Sequence, residues 1–492
     1  MMGYGLLCIY VLCISALFVY GVNCYYMVWR FWKTRGAAGI RIRRQVDAVQ
    51  SIFNDDDQLP HVTTQIPLYN EANVAERVIR AVAAIDYPAS KHEIQILDDS
   101  TDETRVIVDA VAEALRSTGK DVQVFRRDSR DGFKAGALAA GLKVCKGEFV
   151  AIFDSDFVPQ QDYLRQMIPP LLADTKLAFV QARWGHLNDS HSFLTQAQSI
   201  GIDGHFMIEQ SARATNGFFM NFNGTAGVWR KSAIEDAGGW QADTLTEDMD
   251  LSYRCQLAGW RAGFLADVVV PAELPQTYTA FKSQQFRWAK GSIQTAMKLF
   301  PQVLRSKAGV MAKIQAFLHL THYSIHPVMV VLSVLTLPVL LTLSVNVPWQ
   351  MMVVFMGCIL VAICGPSSLY ITSQIATKSR MKKLFYLPVL MCVGVGIALS
   401  NSRAVVEALL KVKSGFVRTP KSGDANNQQC RTYRVKTPIL PVFEILLGCY
   451  CMISLLFYLH AKHYMVGPFL LIYTCGFLWV GIRSFREGYE KG

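Results

Sequence analysis

Two aspartates one residue apart, Asp154 and Asp156, close the apolar run 149–153. Carboxylates so spaced at a strand end can hold a hard divalent cation, Mg²⁺ or Mn²⁺, which prefers oxygen ligands and also bridges phosphate oxygens. The same triplet also serves as a turn cap. A second acidic pair, Asp98-Asp99, closes the run 94–97. There carboxylates can accept hydrogen bonds from ribose hydroxyls or base N–H groups, or simply cap the next helix. Lys134 lies in a loop, Arg130-Asp131-Gly132-Phe133-Lys134-Ala135-Gly136, ahead of a small-residue helix at 137–143, and can neutralise a diphosphate. Thr246-Glu247-Asp248 opens a helix. Acidic first turns suit the helix dipole, while the sharper reading makes Asp248 a general base for an acceptor hydroxyl. In Gln284-Gln285-Phe286-Arg287-Trp288 the indole face can stack on a sugar ring and the guanidinium can contact a pyrophosphate. The plainer reading is an aromatic–basic pair at a bilayer edge.

These residues need elements to hold them. Between 45 and 312 the chain alternates strand-like and helix-like patterns. Residues 61–66, 94–97, 122–125 and 149–153 read as strands, the first ending at Pro67. Apolar positions 74, 78, 82 and 85 make a helical stripe over 73–85, and Ser100-Thr101-Asp102-Glu103 reads as a capping box for a helix at 106–116. Such alternation predicts an α/β unit with a largely parallel sheet, whose ligands bind at the carboxyl ends of the strands. Asp98-Asp99 and Asp154 fall at two such ends.

The flanks are membrane-like. Of 492 residues 51% are hydrophobic and 18% charged, with a mean hydropathy of +0.23. Residues 6–28 are nearly all apolar, enough to cross a hydrocarbon core of ~30 Å. Arg30, Lys33, Arg35, Arg41, Arg43 and Arg44 follow without an acid, so this flank is expected inside the cell. Residues 314–377 carry no charge and read as two spans, 317–345 and 349–376; 439–459 and 464–482 read as two more. Residues 403–438 hold eight basic side chains against Glu407 and Asp424, which also places them inside. The segment 384–411 is therefore expected to be interfacial or re-entrant, giving five spans; a six-span arrangement is the alternative. The net charge of +11 thus suits a bilayer surface rather than nucleic acid. The 12 cysteines show no CxxC pair, so neither a disulfide framework nor a zinc site is indicated.

Taken in order, Pro67-Leu68-Tyr69-Asn70-Glu71, Asp98-Asp99, Lys134-Ala135-Gly136, Asp154-Ser155-Asp156, Phe222-Asn223-Gly224-Thr225, Thr246-Glu247-Asp248 and Gln284-Gln285-Phe286-Arg287-Trp288 resemble the family 2 processive glycosyltransferases, most of all relatives of the cellulose synthase-like A and C enzymes that make β-mannan and β-glucan backbones. The resemblance covers about 60–420. It implies a cytoplasmic GT-A-type α/β domain at 45–312, a transmembrane helix at 1–29 and a helical membrane domain at 313–492. It implies nucleotide-sugar contacts from Glu71, Asp98, Asp99, Lys134, Asp154 and Arg287, with Mg²⁺ or Mn²⁺ on Asp154 and Asp156. Asp248 would be the base, and Asn223, Thr225, Glu247, Gln284, Gln285 and Trp288 would face the acceptor. The stretch 416–421, Phe-Val-Arg-Thr-Pro-Lys, is similar to the gating loop of cellulose synthases but departs from their Phe-x-Val-Thr pattern. The implied reaction is inverting transfer of a hexosyl unit from GDP-mannose or UDP-glucose to a growing β-glycan. A lipid acceptor is the alternative, and a transporter with a vestigial cytoplasmic domain is the reading from another class. The expected location is a bacterial plasma membrane, or the Golgi in a eukaryote.

Overall fold

The computed structural model describes residues 2–49, 52–342, 349–377, 381–415, 421, 423 and 439–489. Among them, seven strands form one sheet in the order β3-β2-β1-β4-β6-β5-β7. They are β1 (Val62–Leu68), β2 (His92–Asp98), β3 (Asp121–Phe125), β4 (Phe149–Ile152), β5 (Leu177–His186), β6 (Gly227–Arg230) and β7 (Arg261–Ala272). Every pairing is parallel except those of β6, which runs against both β4 and β5. The largely parallel sheet expected from the sequence is therefore present, with one reversed strand. Pro67 does not end β1. The pairing runs on through Leu68↔Asp98, and Asp99 donates its N–H to the Leu68 carbonyl at 3.0 Å.

Burial on both faces explains the unbroken apolar runs. Phe149, Ala151 and Phe153 enter one core with Ile66 and Val228. Val150 and Ile152 enter the other, beside Phe179 and Trp229. The central pair β1–β2 also buries polar side chains that bond to one another: Thr63 to Glu93 at 2.6 Å, and Gln65 to Gln95 at 3.0 Å. The capping box at 100–103 does not form. The helix starts at Thr104, whose N–H is accepted by Asp102 Oδ1 at 3.0 Å, while Ser100 and Thr101 turn to Asn70.

Five helical stretches among the described residues are long and apolar enough to cross a membrane: Gly5–Ala37, Val310–Thr342, Val353–Ala376, Leu440–His460 and Tyr464–Gly488. The pair Lys382–Gly396 and Ala398–Leu409 bends by 43°, compatible with a broken span or a re-entrant loop. The N-terminal helix runs unbroken over Met2–Ala48. Most of the gating-like stretch, 416–420, lies outside the described residues.

The N-terminal helix meets Trp349–Ala376 at a glycine crossing. A Cβ on Gly21 would stand 2.6 Å from the Val361 carbonyl oxygen, and one on Gly365 would collide with the Gly21 backbone. Small residues allow such close backbone approach. Gly21→Val should cost ~1–3 kcal/mol through overpacking. A lower thermal midpoint in detergent would register it; an unchanged midpoint would mean the crossing relaxes freely.

Candidate active site

β1 and β4 are neighbours whose connections leave to opposite flanks of the sheet, so a crevice opens beyond their carboxyl ends. β1 leads to Tyr69, Asn70 and Glu71, β2 to Asp98 and Asp99, and β4 to Asp154, Ser155 and Asp156. The first two loops are tied together: Ser100 Oγ accepts the Asn70 N–H at 2.9 Å, and Asn70 Oδ1 accepts the Thr101 N–H at 2.8 Å. Asn70 has φ 55°, a left-handed setting that asparagine tolerates.

One cavity of about 200 Å³ gathers most of the expected residues. Glu71, Asp99, Lys134, Asp154 and Asp156 line it from the sheet side. Asn223, Glu247, Asp248, Gln284, Arg287 and Trp288 line it from the other. Three expected residues stand off its wall. Asp98 is buried behind it, bound to Arg126 Nε at 2.9 Å and to the Ser100 N–H at 3.0 Å. Thr225 is buried, and its hydroxyl accepts the Asp154 N–H at 2.8 Å, so it supports the strand end rather than forming the surface. Gln285 lines a second, deeper cavity of about 570 Å³ among the membrane helices, where its Oε1 accepts from the Tyr323 hydroxyl at 3.2 Å. Trp184, Asn223, Asp248, Gln284 and Trp288 border both cavities, so the two adjoin there.

Lys134 lies in the first turn of the helix Phe133–Val144, not in a loop before it. Its ammonium donates to Asp154 Oδ1 at 2.5 Å and to the Gly224 carbonyl at 2.8 Å, and stands 4.0 Å from Glu247. Burial works against its charge, but Asp154, Glu247 and Asp248 outweigh that and raise its pKa above the ordinary value. The carboxylates shift upward too, which for them disfavours the charged form. Burial, with Glu247 adjacent, pushes Asp248 up to about 7, against the pull of Lys134 and of the Met249 N–H at 2.8 Å. Glu247 is raised by burial too, despite Lys134. Arg127 grips Asp99 with two bonds, 3.0 and 2.5 Å, at the far end of the cavity.

A family model described as glycosyltransferase-like family 2 matches residues 60–291. The chain is 33% identical over 454 residues to glucomannan 4-beta-mannosyltransferase 1 of Cyamopsis tetragonoloba, covering 89% of this chain and 84% of that one. It is 42% identical over 252 residues to a probable glucomannan 4-beta-mannosyltransferase 10 of Arabidopsis thaliana, covering 50% of this chain. That match spans about half the length of the Arabidopsis protein, 46%. The chain belongs to glycosyltransferase family 2. Its fold is that of the mannosyltransferase PcManGT from Pyrobaculum calidifontis, solved with GDP-Man and Mn²⁺: the TM-score is 0.52 at 18% identity, over 81% of this chain and all of the other.

Several groups in this glycosyltransferase's cavities carry no site role in the motifs read above. Lys421 reaches Asp156 Oδ2 at 2.5 Å, while Asn73 Nδ2 donates to its carbonyl at 3.1 Å. In the deeper cavity Asn223 meets His205 at 3.0 Å, and His205 meets Glu209 at 2.9 Å. His319, His322 and His326 line it from the facing helices. Their spacing within an uncharged block was the available signal. Among the described residues no cluster of three or more His, Cys, Asp or Glu side chains could hold a metal ion. Asp154 and Asp156 offer two carboxylates, each now facing an ammonium. That donor set fits an ion such as Mg²⁺, which takes one or two carboxylates and fills its shell with water and phosphate oxygens.

A raised carboxyl pKa carries a stability consequence. A carboxyl with a native pKa of about 7 and an ordinary value of 3.8 binds protons more tightly folded than unfolded, so its ionisation destabilises the fold as pH rises between those values. Asp248→Asn should therefore gain thermal stability relative to wild type at pH 8 and little at pH 4. Melting curves at both pH values test this. An equal effect at each would remove burial as the cause.

Proposed function

We propose that this enzyme transfers a hexosyl unit, with inversion, from a nucleotide sugar to a hydroxyl of a growing β-linked glycan, and that GDP-mannose is its donor, with UDP-glucose the competing choice. The observation that carries the reading is the position of Asp248, at the junction of a charged cavity that suits a nucleoside diphosphate and a long cavity among membrane helices that suits an extended sugar chain. The mannosyltransferase names of the relatives, and GDP-Man in the structural neighbour, favour mannose over glucose.

In this reading Asp99 and Glu71 hold the nucleoside end of the donor, with Asp98 fixing the loop from behind. Lys134 and Arg287 face the diphosphate. Asp154 and Asp156 would hold Mg²⁺ or Mn²⁺, which offsets the charge that builds on the leaving diphosphate. An ammonium between Asp154 and Glu247 adds preorganised positive charge at the same place. Asp248 Oδ takes the proton of the acceptor hydroxyl as that oxygen attacks the anomeric carbon. One displacement with one base inverts the centre, so no carboxylate nucleophile is needed. Trp288 offers its ring to the acceptor sugar, with Gln284, Gln285, Asn223 and Glu247 around its hydroxyls and Thr225 supporting Asp154. The deeper cavity gives the product a path away from Asp248 without release, which supports repeated addition and passage across the bilayer, with the catalytic domain on the cytoplasmic side.

Purified protein should release GDP from GDP-mannose faster than UDP from UDP-glucose and build high-mass, mannanase-sensitive material. An organic-extractable product would point to a lipid acceptor instead. Chelator should stop the reaction and Mn²⁺ or Mg²⁺ restore it. Full activity in chelator would leave Asp154 and Asp156 as partners of lysines alone.

Asp248→Asn keeps shape but cannot take the proton, so transfer should fall by ~10²–10⁴-fold. Nucleoside diphosphate affinity should survive. Because the base must be ionised, wild-type turnover should rise with pH through the region near 7. A flat profile from pH 6 to 8 would argue against Asp248.

A further inference from the structure

Glu407, Glu444 and Glu487 are the acidic residues beyond residue 310 among those the structure describes. All three bond to a single helix, Tyr278–Arg305, which carries Gln284, Gln285, Arg287 and Trp288. Each comes from a different partner helix. Glu487, on Gly467–Tyr489, accepts the N–H groups of Tyr278 and Thr279 at 2.8 and 2.9 Å and the Thr279 hydroxyl at 2.8 Å. Glu444, on Leu440–His460, is fully buried and accepts Lys282 Nζ at 3.1 and 2.9 Å. Glu407, on Ala398–Leu409, accepts Lys290 Nζ at 2.8 Å, and the same ammonium donates to Ser414 at 2.7 Å. The stretch 284–288 is thus bracketed by two ammonium–carboxylate ties about 12 Å apart along the axis, at 1.5 Å per residue. A third tie holds the helix start.

Apolar contact would hold these helices together at lower cost, because removing two charges from water can exceed what their attraction returns. What a buried, hydrogen-bonded ion pair supplies is register: sliding or rolling the helix by one residue breaks it, whereas apolar side chains repack. We propose that Glu407, Glu444 and Glu487 are positioning residues that set the axial register of Tyr278–Arg305. They thereby keep Gln284 and Trp288 at the junction of the two cavities and Gln285 in the deeper one, so that the acceptor rather than water receives the sugar. The proposal rests on reading this helix as the acceptor side of the site.

The test uses full-length enzyme in detergent and two variants. One replaces the central pair by apolar side chains, Lys282→Met with Glu444→Leu. The other is Glu487→Gln, at the tie that holds the helix start, and guards against a misfolded double variant. Three quantities are read: nucleoside diphosphate affinity, sugar incorporated per nucleoside diphosphate released, and mean product length. Misplacement of about 1 Å can cost ~10²-fold. The apolar pair should therefore keep nucleotide affinity within about twofold while incorporation per release falls roughly 10- to 100-fold and products shorten. Glu487→Gln should shift the same ratio in the same direction by about threefold, since one of three ties is weakened. The charge exchange Lys282→Glu with Glu444→Lys should recover most of the loss. Wild-type ratio and product length in both the apolar pair and Glu487→Gln would overturn the proposal. Failure of the glycan reading would appear in wild type itself, as donor turnover with no sugar incorporated.

Discussion

Asp154, Asp156, Glu247 and Asp248 border one cavity, and lysines make that arrangement tolerable. Like charges at this range, partly withdrawn from water, disfavour one another's ionised forms. The Lys134 ammonium is placed by the first turn of its helix so that it touches Asp154 and the Gly224 carbonyl while standing near Glu247. Much else follows from where that one charge sits. Gly224, with φ 82°, presents its carbonyl to Lys134, and a Cβ there would stand 2.9 Å from the Asp248 carboxylate, so the close approach of loop and carboxylate needs glycine. Thr225 then holds the Asp154 backbone. The loop, the strand end and the helix start are locked to one another through a single ammonium.

The sheet decides which charges can share that ammonium. β1 and β2 pair over seven residues, and their polar interior side chains bond across the ladder, so their carboxyl ends finish level. Asp99 and the loop at Asn70 therefore stand side by side. β4 is shorter and is flanked by the reversed strand β6, which brings the chain from Asn223–Ala226 straight onto the end of β4. A parallel β6 would have entered from the opposite edge, and Gly224 and Thr225 would be remote from Asp154. The one exception to parallel pairing is thus what joins the two halves of the site.

This explains what was legible in the residues alone. Apolar runs buried on both faces, closing at acidic pairs, are visible as strands, and four of the seven were read that way. The β5–β7 half was not: β6 is four residues long, and nothing local distinguishes its direction. Side chains with two possible local partners misled in the same manner. Ser100 and Thr101 look like helix caps, yet their bonds go to Asn70, 30 residues away or more, because the paired strand ends make that partner available. Asp98 and Asp99 are equivalent in sequence, but strand alternation sends one behind the sheet to Arg126 and the other to the cavity. Lys421 was visible only as part of a loop motif, whereas its contact with Asp156 depends on the folding of the membrane domain.

The membrane helices are held to the catalytic domain by few charges, and where those charges lie matters more than their number. Apolar helices in a bilayer gain little from packing against one another rather than against lipid. Apolar contacts of the membrane helices with Phe281, Ala289 and Ile293 of Tyr278–Arg305 therefore leave its depth against them loosely specified. Ion pairs at Lys282 and Lys290 specify it, since each ammonium has one carboxylate within reach. Asp248 belongs to a different helix, whose Met249 and Tyr253 share a core with Ala296, Leu299 and Val303 of Tyr278–Arg305, so the depth of that helix carries over to the height of Trp288 and Gln284 against Asp248. A catalytic domain folding around its own sheet and a helical domain settling in lipid need a common reference, and other ties between them, such as Lys383 to Asp189 at 2.7 Å and Gln374 to Asp203 at 3.0 Å, lie on other elements. The acidic residues of the membrane domain supply it at the point where the two cavities meet.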